Sequence, residues 1–327
     1  MHSKYKIAAA IAFVLSMSAA SAQERVNGVI ERHGFLGRTI EPDEFQVFHP
    51  KEFQATHKVA ISVFNVAFPR ENHFSANTKG SNSMFSHAAK ASMHTTMTGV
   101  DQATQQRIAD RAYALFVAQL KDAGYEVVDQ AGLAQAAPEY ATWAALPNFS
   151  EGRFGVYVAP TGMSVRFLQG DAAKRDTSGM FGQQIAGFRV LDKPIAFSRS
   201  PYIAYDAKLG IIAVTLVVDY GTYSSSGEKR GMGKASAAFY PGATIAAGNI
   251  ADSGTLVEYW SPDSGGFPAA AYLQRPVHSE KELGAIQGAE ESGDYTVVAD
   301  PAKFEAAANE VVDIAVPKLV GVMTAGK

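Results

Sequence analysis

The sequence predicts an α/β (α+β) fold: a mixed, largely antiparallel sheet flanked by helices. Three observations carry that prediction. Strand and helix signals alternate through the first half of the chain, the middle is a succession of β-branched and aromatic runs, and helical apolar stripes stand at 101–123 and 301–323. An apolar fraction of 47% in 327 residues is enough for a substantial core, so one folded unit is expected over 57–327.

Each element has its own signal. Lys4 and Lys6 precede an apolar stretch over 7–17, and Ala20-Ser21-Ala22 supplies the small residues of a cleavage site, so 1–22 reads as a secretory signal peptide. That stretch is shorter than the roughly 20 apolar residues of a membrane helix, and no later segment reaches that length. The mature chain is expected to begin at Gln23, in the periplasm or secreted. Gln23 stands where a bacterial lipoprotein carries its lipid-bearing cysteine, so anchoring by that route is not expected.

Residues 23–56 alternate weakly around Gly28, Gly34 and Gly37 and read as an N-terminal arm with one short strand. KVAISVFNVAF, Lys58–Phe68, is β-branched and aromatic and is closed by Pro69, which predicts a central strand. The segment 70–100 is polar and without sustained period, and predicts a long loop of the kind that is usually functional. Asp101 can cap the helix whose stripe is Ile108, Ala112, Leu115, Phe116 and Leu120, and Gly124 can end it. YEVVD at 125–129 then reads as a strand, which completes an α/β unit.

A short helical stretch is expected at 138–146, and strands at 155–159, 163–168, 187–191, 209–220 and 234–240. The β-rich runs on either side of 224–233 predict a long hairpin, with Ser224, Ser225 and Ser226 as turn residues. Further strands are expected at 255–260 and 295–299. Asp300-Pro301 is a helix start, with Phe304, Ala307, Ala308, Val311, Val312 and Ala315 on one face and Pro317 expected to kink or end it.

Composition narrows the function. The formal net charge of −3 becomes −5 when Lys4 and Lys6 leave with the leader, and the remaining bases are scattered among carboxylates, so nucleic acid is not an expected partner. The chain contains no cysteine, which removes disulfides, thiol catalysis and cysteine-ligated zinc or iron–sulfur sites.

One cluster suits a metal. Met84, His87, Met93, His94 and Met97, with His73 upstream, combine thioethers and imidazoles in a short span, the donor set that copper favours. The same methionines also serve as fillers that seat a loop on a core. GEKRGMGKAS, 227–236, lacks the glycine five positions before Gly-Lys that a phosphate-binding loop requires, and it leads out of a hairpin. No Gly-x-Ser-x-Gly elbow is present. The pairs Asp43/Glu44 and Glu290/Glu291 read as solvated surface charge. Tyr140, Trp143, Phe149, Phe154 and Tyr157 read as core, with a ligand pocket as the alternative.

KVAISVFNVAF, then FVAQLKDAGYEVVDQAGL, then the hairpin run IIAVTLVVDYGTY together resemble the curli-secretion and penicillin-binding-protein-activator group of periplasmic proteins. The resemblance covers 58–133 and 209–240, and implies a sheet-and-helix fold that works by assembly or protein contact. The missing lipid-attachment cysteine departs from that group and puts outer-membrane anchoring and a secretion-pore role in doubt. The expected function is therefore a non-catalytic periplasmic protein that binds a protein or cell-envelope component, with 70–100 and 224–233 as contact surfaces. A small-molecule or copper-binding protein is the alternative, and a hydrolase with a site assembled from distant residues is the second. Expression with export should yield a chain whose intact mass and terminal sequencing place Gln23 first; a retained leader would contradict the cleavage assignment.

Overall fold

The computed structural model describes residues 43–77, 90–167, 196–228, 234–247, 254–263, 268–289 and 293–325, with two-residue ladders pairing 32–33 with 39–40 and 189–190 with 193–194. The leader, Met84, His87, Glu290, Glu291 and the hairpin tip at 229–233 lie outside the described residues. The strands are β1 (Phe45–Phe48), β2 (Lys58–Phe68), β3 (Glu71–Asn77), β4 (Lys90–Thr98), β5 (Glu126–Val128), β6 (Ser150–Gly152) and β7 (Gly155–Val158). They continue as β8 (Gly210–Glu228), β9 (Lys234–Ile245), β10 (Leu256–Trp260), β11 (Ala269–Leu273), β12 (Val277–His278), β13 (Gly284–Ala289) and β14 (Asp294–Ala299). The helices are α1 (Gln102–Asp122), α2 (Gln130–Ala136), α3 (Ala196–Ala207) and α4 (Pro301–Thr324).

The fold is α/β, with mixed and mostly antiparallel sheets. The main sheet runs β1-β11-β10-β8-β2-β7-β6, with β5 paired to β2 and β9 joining β8 to β12. Its centre is the parallel pair β2 and β8, and β5 is also parallel to β2. Every residue of β2 after Lys58 is buried, as expected of a strand covered on both faces. The second sheet has the order β13-β14-β4-β3, with β14 parallel to β4.

Helices α1 and α4 cover one face of the main sheet. Val59, Ile61, Phe64 and Val66 of β2 and Ile212, Val214 and Leu216 of β8 meet Ile108, Ala112, Phe116, Val312, Leu319 and Val320 in one core. Both helices start as their sequences require: the Asp101 carboxylate accepts from the Thr104 N–H at 2.7 Å and the Asp300 carboxylate from the Lys303 N–H at 3.0 Å. The Thr104 N–H bond also holds the Asp101 carboxyl below its usual range. Gly124, at φ 88°, ends α1 by letting the Tyr125 N–H reach the Leu120 carbonyl at 2.9 Å.

The structure revises or refines the sequence expectations at several places. The described part of 70–100 is not a loop: Glu71–Asn77 and Lys90–Thr98 form the antiparallel pair β3 and β4, Glu71↔Thr96 to Asn77↔Lys90. Ser224, Ser225 and Ser226 are strand residues of β8, paired with Ala238, Ala237 and Ser236. Helix α4 runs on through Pro317, whose missing N–H spares only the Asp313 carbonyl, because the turns beyond it bury Leu319, Val320 and Met323. The arm is partly built in: β1 edges the main sheet, Phe53 is wholly buried, and Tyr125 donates from its hydroxyl to the Phe53 carbonyl at 3.0 Å. Of the run expected as a strand at 163–168, only Val165 makes a bridge, to Leu146.

No helix among the described residues is long and apolar enough to cross a membrane. The core predicts the response to truncation. Phe116→Ala, at a fully buried site packed on Phe64, should lower the unfolding free energy by about 3–5 kcal/mol. Arg111→Ala, which breaks an exposed pair with Asp313 across α1 and α4, should leave the urea midpoint nearly unchanged. Equal shifts in the two variants would count against this division of stability.

Candidate functional site

Strand β8 outruns its neighbours. It pairs with β2 only as far as Val217, and beyond that point its partner is β9 alone. The departure is marked by an irregularity between Asp219 and Gly221, the kind of extra residue that bends and twists a strand. Gly221 is required there, since a Cβ would lie 2.1 Å from the Phe239 ring.

The β3–β4 hairpin leaves the body at the same place. Asn72 contacts Asp219 and Phe74 contacts Tyr223, so β3 and β8 advance together past the end of β2. The two hairpins pack face to face: Phe74 and Met93 from one, Tyr223 and Phe239 from the other, with Tyr295 of β14 at the side. The Phe74 and Tyr223 rings stack at 5.7 Å.

A polar seam runs beneath this apolar contact. The Asn72 amide donates to both oxygens of the buried Asp219 carboxylate, at 3.0 and 3.3 Å, and the Tyr220 N–H donates to it at 2.7 Å. The Thr95 hydroxyl bonds the Tyr223 hydroxyl at 2.5 Å and the Tyr220 hydroxyl at 3.1 Å, and Tyr220 donates to the Thr95 carbonyl at 2.8 Å. Burial, with the Asp219 carboxylate nearby, pushes both phenols far above their usual range. Each hairpin thus supplies polar groups that the other must satisfy, which fixes their register.

The outer face of the second sheet is polar. His73 pairs with His94, which pairs with Asp294; Glu71 pairs with Thr96, which pairs with Thr296. The two imidazoles stack at 4.2 Å and 14°. Glu71 and Asp294 each approach the His94 ring to 3.9 Å, and Thr96 and Thr296 share a 2.9 Å bond. A groove of about 440 Å³ lies here, lined by His94, Thr96, Gln287, Gly288, Asp294, Tyr295 and Thr296.

The copper set does not converge within the described residues. Met93 and Met97 point into the core, at 4% and 8% exposure, and His94, one position on, points out through the opposite face by strand alternation. Met84 and His87 lie outside the described residues. His73 is beside His94, but ring nitrogen lone pairs lie in the ring planes, so parallel stacked rings direct them side by side rather than at one ion. Among the described residues no group of three or more histidine or acidic side chains is placed to hold a metal.

Of the aromatic group, Tyr140, Trp143 and Tyr157 are buried, while Phe149 and Phe154 are half-buried. Glu44 pairs with Lys318 at the surface. The seam through Asn72, Thr95, Asp219, Tyr220 and Tyr223 was not singled out by sequence; the only trace of it is a tyrosine pair at spacing three beside an aspartate in a long strand. No family model, curated protein or solved structure matches this chain.

The buried phenols set the alkaline limit. Tyr220, Tyr223, Tyr259 and Tyr272 are all raised from 10.0 by burial, so the folded state keeps protons that the unfolded chain releases. The stabilisation they represent is complete below pH 10 and is lost as pH rises above it. Tyrosinate absorbance followed with circular dichroism should show these phenols ionising only as the fold is lost; reversible ionisation of all thirteen tyrosines with the fold intact would contradict the seam.

Proposed function

We propose that this protein is a non-catalytic binding protein of the periplasm, or secreted, that engages a protein or cell-envelope component through its paired hairpins. The observation that carries the reading is the seam. Two hairpins far apart in sequence are locked together by Phe74, Met93, Tyr223 and Phe239 and by the Thr95–tyrosine bonds, and both run past the end of β2. A rigid body that spends buried polar groups on holding two projecting hairpins together is suited to presenting a surface.

Two further points support it. The leader over 1–22 reads as an export signal, and the resemblance to the curli-secretion and penicillin-binding-protein-activator group implies work by contact. Tyr240, 52% exposed on β9, offers the hairpin pair an aromatic anchor of the type that dominates binding interfaces.

Site-specific photo-crosslinking separates this reading from a general sticky surface. A crosslinker at position 240 should give discrete adducts with envelope components, and one at position 314 of α4, also exposed, should not. Identical patterns from the two positions would overturn the assignment of the hairpins as the contact surface.

A further inference from the structure

The two edges of the second sheet differ in kind. β3 carries Glu71 and packs against the other hairpin through Asn72 and Phe74. β13, the opposite edge, reads GAIQGA, with neither charge nor proline in its six residues. Its ladder to β14 runs without a bulge from Gly284↔Ala299 to Ala289↔Asp294. Ala285, Ile286, Gln287 and Gly288 are exposed one after another, Ile286 to 51%. Neighbours along a strand point to opposite faces, so solvent meets both faces of β13. Among the described residues no other strand or backbone hydrogen bond reaches its outer edge.

β14 holds this edge in place. Gly284 at φ 154° and Gly288 at φ 146° let the strand close on its neighbour: a Cβ at the first would lie 2.1 Å from the Val298 carbonyl oxygen, and at the second 2.2 Å from that of Asp294. β13 is therefore a fixed strand with about half of its N–H and C=O groups turned away from the sheet. Proteins commonly blunt such an edge with a charge, a proline or a bulge, or keep it short. Other strands here follow that rule: β5, β6 and β12 have three residues or fewer, β9 contains Pro241, and β1 lies between the Glu44–Lys318 pair and Pro50. β13 has none of these devices.

Charge distinguishes its two ends. The end at Gly284 is close to balanced, because Lys281 is bridged to Glu310 and Lys303 to Glu282. The end at Ala289 is acidic, since Glu290 and Glu291 follow in sequence and Asp294 is the partner of Ala289. The groove of about 440 Å³ opens beside Gln287 and Gly288 and includes Asp294, whose side chain is 69% exposed, with no lysine or arginine in its lining. A second copy laid antiparallel along the edge offers the acidic end only the balanced one. A strand with lysine or arginine at that point offers the opposite charge.

We propose that β13 is a docking edge for an extended segment of a partner protein, with alternating β-branched residues and a lysine or arginine at the end beside Asp294. The segment continues the sheet through its backbone, covers Ile286 and sets its basic side chain in the groove. With β14 and β4 between it and β3, this edge uses neither Tyr240 nor the seam, so it does not rest on the role given to the paired hairpins.

The full-length mature protein is panned against random dodecapeptides displayed on phage, and the strongest binder is synthesised for fluorescence anisotropy. Enriched peptides should alternate β-branched residues and carry lysine or arginine at one end. Of two versions N-methylated at odd or at even residues, one should lose binding and the other keep it, because only one set of N–H groups faces β13. Ile286→Lys, at an exposed position, should keep the melting temperature and weaken peptide binding by about tenfold or more. Asp294→Asn should weaken it about fivefold. Should Ile286→Lys lower the melting temperature, the N-methylated pair decides alone. The proposal falls if no peptide is enriched, if the enriched peptides lack a base, if both N-methylated versions bind alike, or if Ile286→Lys folds normally and leaves affinity unchanged. It also falls if the free protein sediments as a dimer that Ile286→Lys converts to monomer, since a second copy then occupies the edge.

Discussion

The parallel ladder between β2 and β8 is the constraint on which the rest of the structure depends. It runs from Gly210↔Val59 to Val217↔Ala67, with an extra residue near Ser62 that shifts the register after Ile212. Both strands are buried on both faces, so each residue must suit one of two different environments. Odd and even positions part company: Phe64 and Val66 meet the helices, while Val63, Asn65 and Ala67 meet the opposite layer. The shift at Ser62 also frees a carbonyl for Tyr140, which anchors that layer to the sheet.

The ladder's unequal lengths generate the projecting surface. β2 ends at Phe68 and Pro69, whereas β8 continues to Glu228, and its surplus residues need new partners. β9 supplies them along the edge, and β3 and β4 supply them across the face. Gly221 at the bend removes the Cβ that would meet Phe239, and the Asp219 carboxylate left inside is satisfied by Asn72 and the Tyr220 N–H. A buried carboxylate tolerates this only if its partners stay in place, so the seam ties two hairpins into one unit.

The two faces of the ladder divide the labour. The helix side is a continuous apolar core, with Phe64, Phe116 and Phe304 filling it. The other side gives up cohesion around Asn65, Thr215 and Arg166, where apolar residues at the same positions would pack without orphan groups.

Sequence by itself determined those elements whose signal is local. The run at Lys58–Phe68, the capped helices at Asp101 and Asp300, and the flanks of the β8–β9 hairpin were legible because each follows from neighbours along the chain. β3 and β4 were hidden because only their inner positions, Phe74, Met93 and Met97, are apolar, and ENHFSAN beside KASMHTTMT resembles a loop until a second hairpin covers it. The same alternation separated His94 from Met93 and Met97, which a one-dimensional cluster cannot show. The seam and the buried polar strip at Arg166 lay beyond sequence for one reason: they join residues 72, 95, 219 and 223, or 65, 143, 166 and 215. Only the register of long-range strand pairing decides which of those side chains share a face.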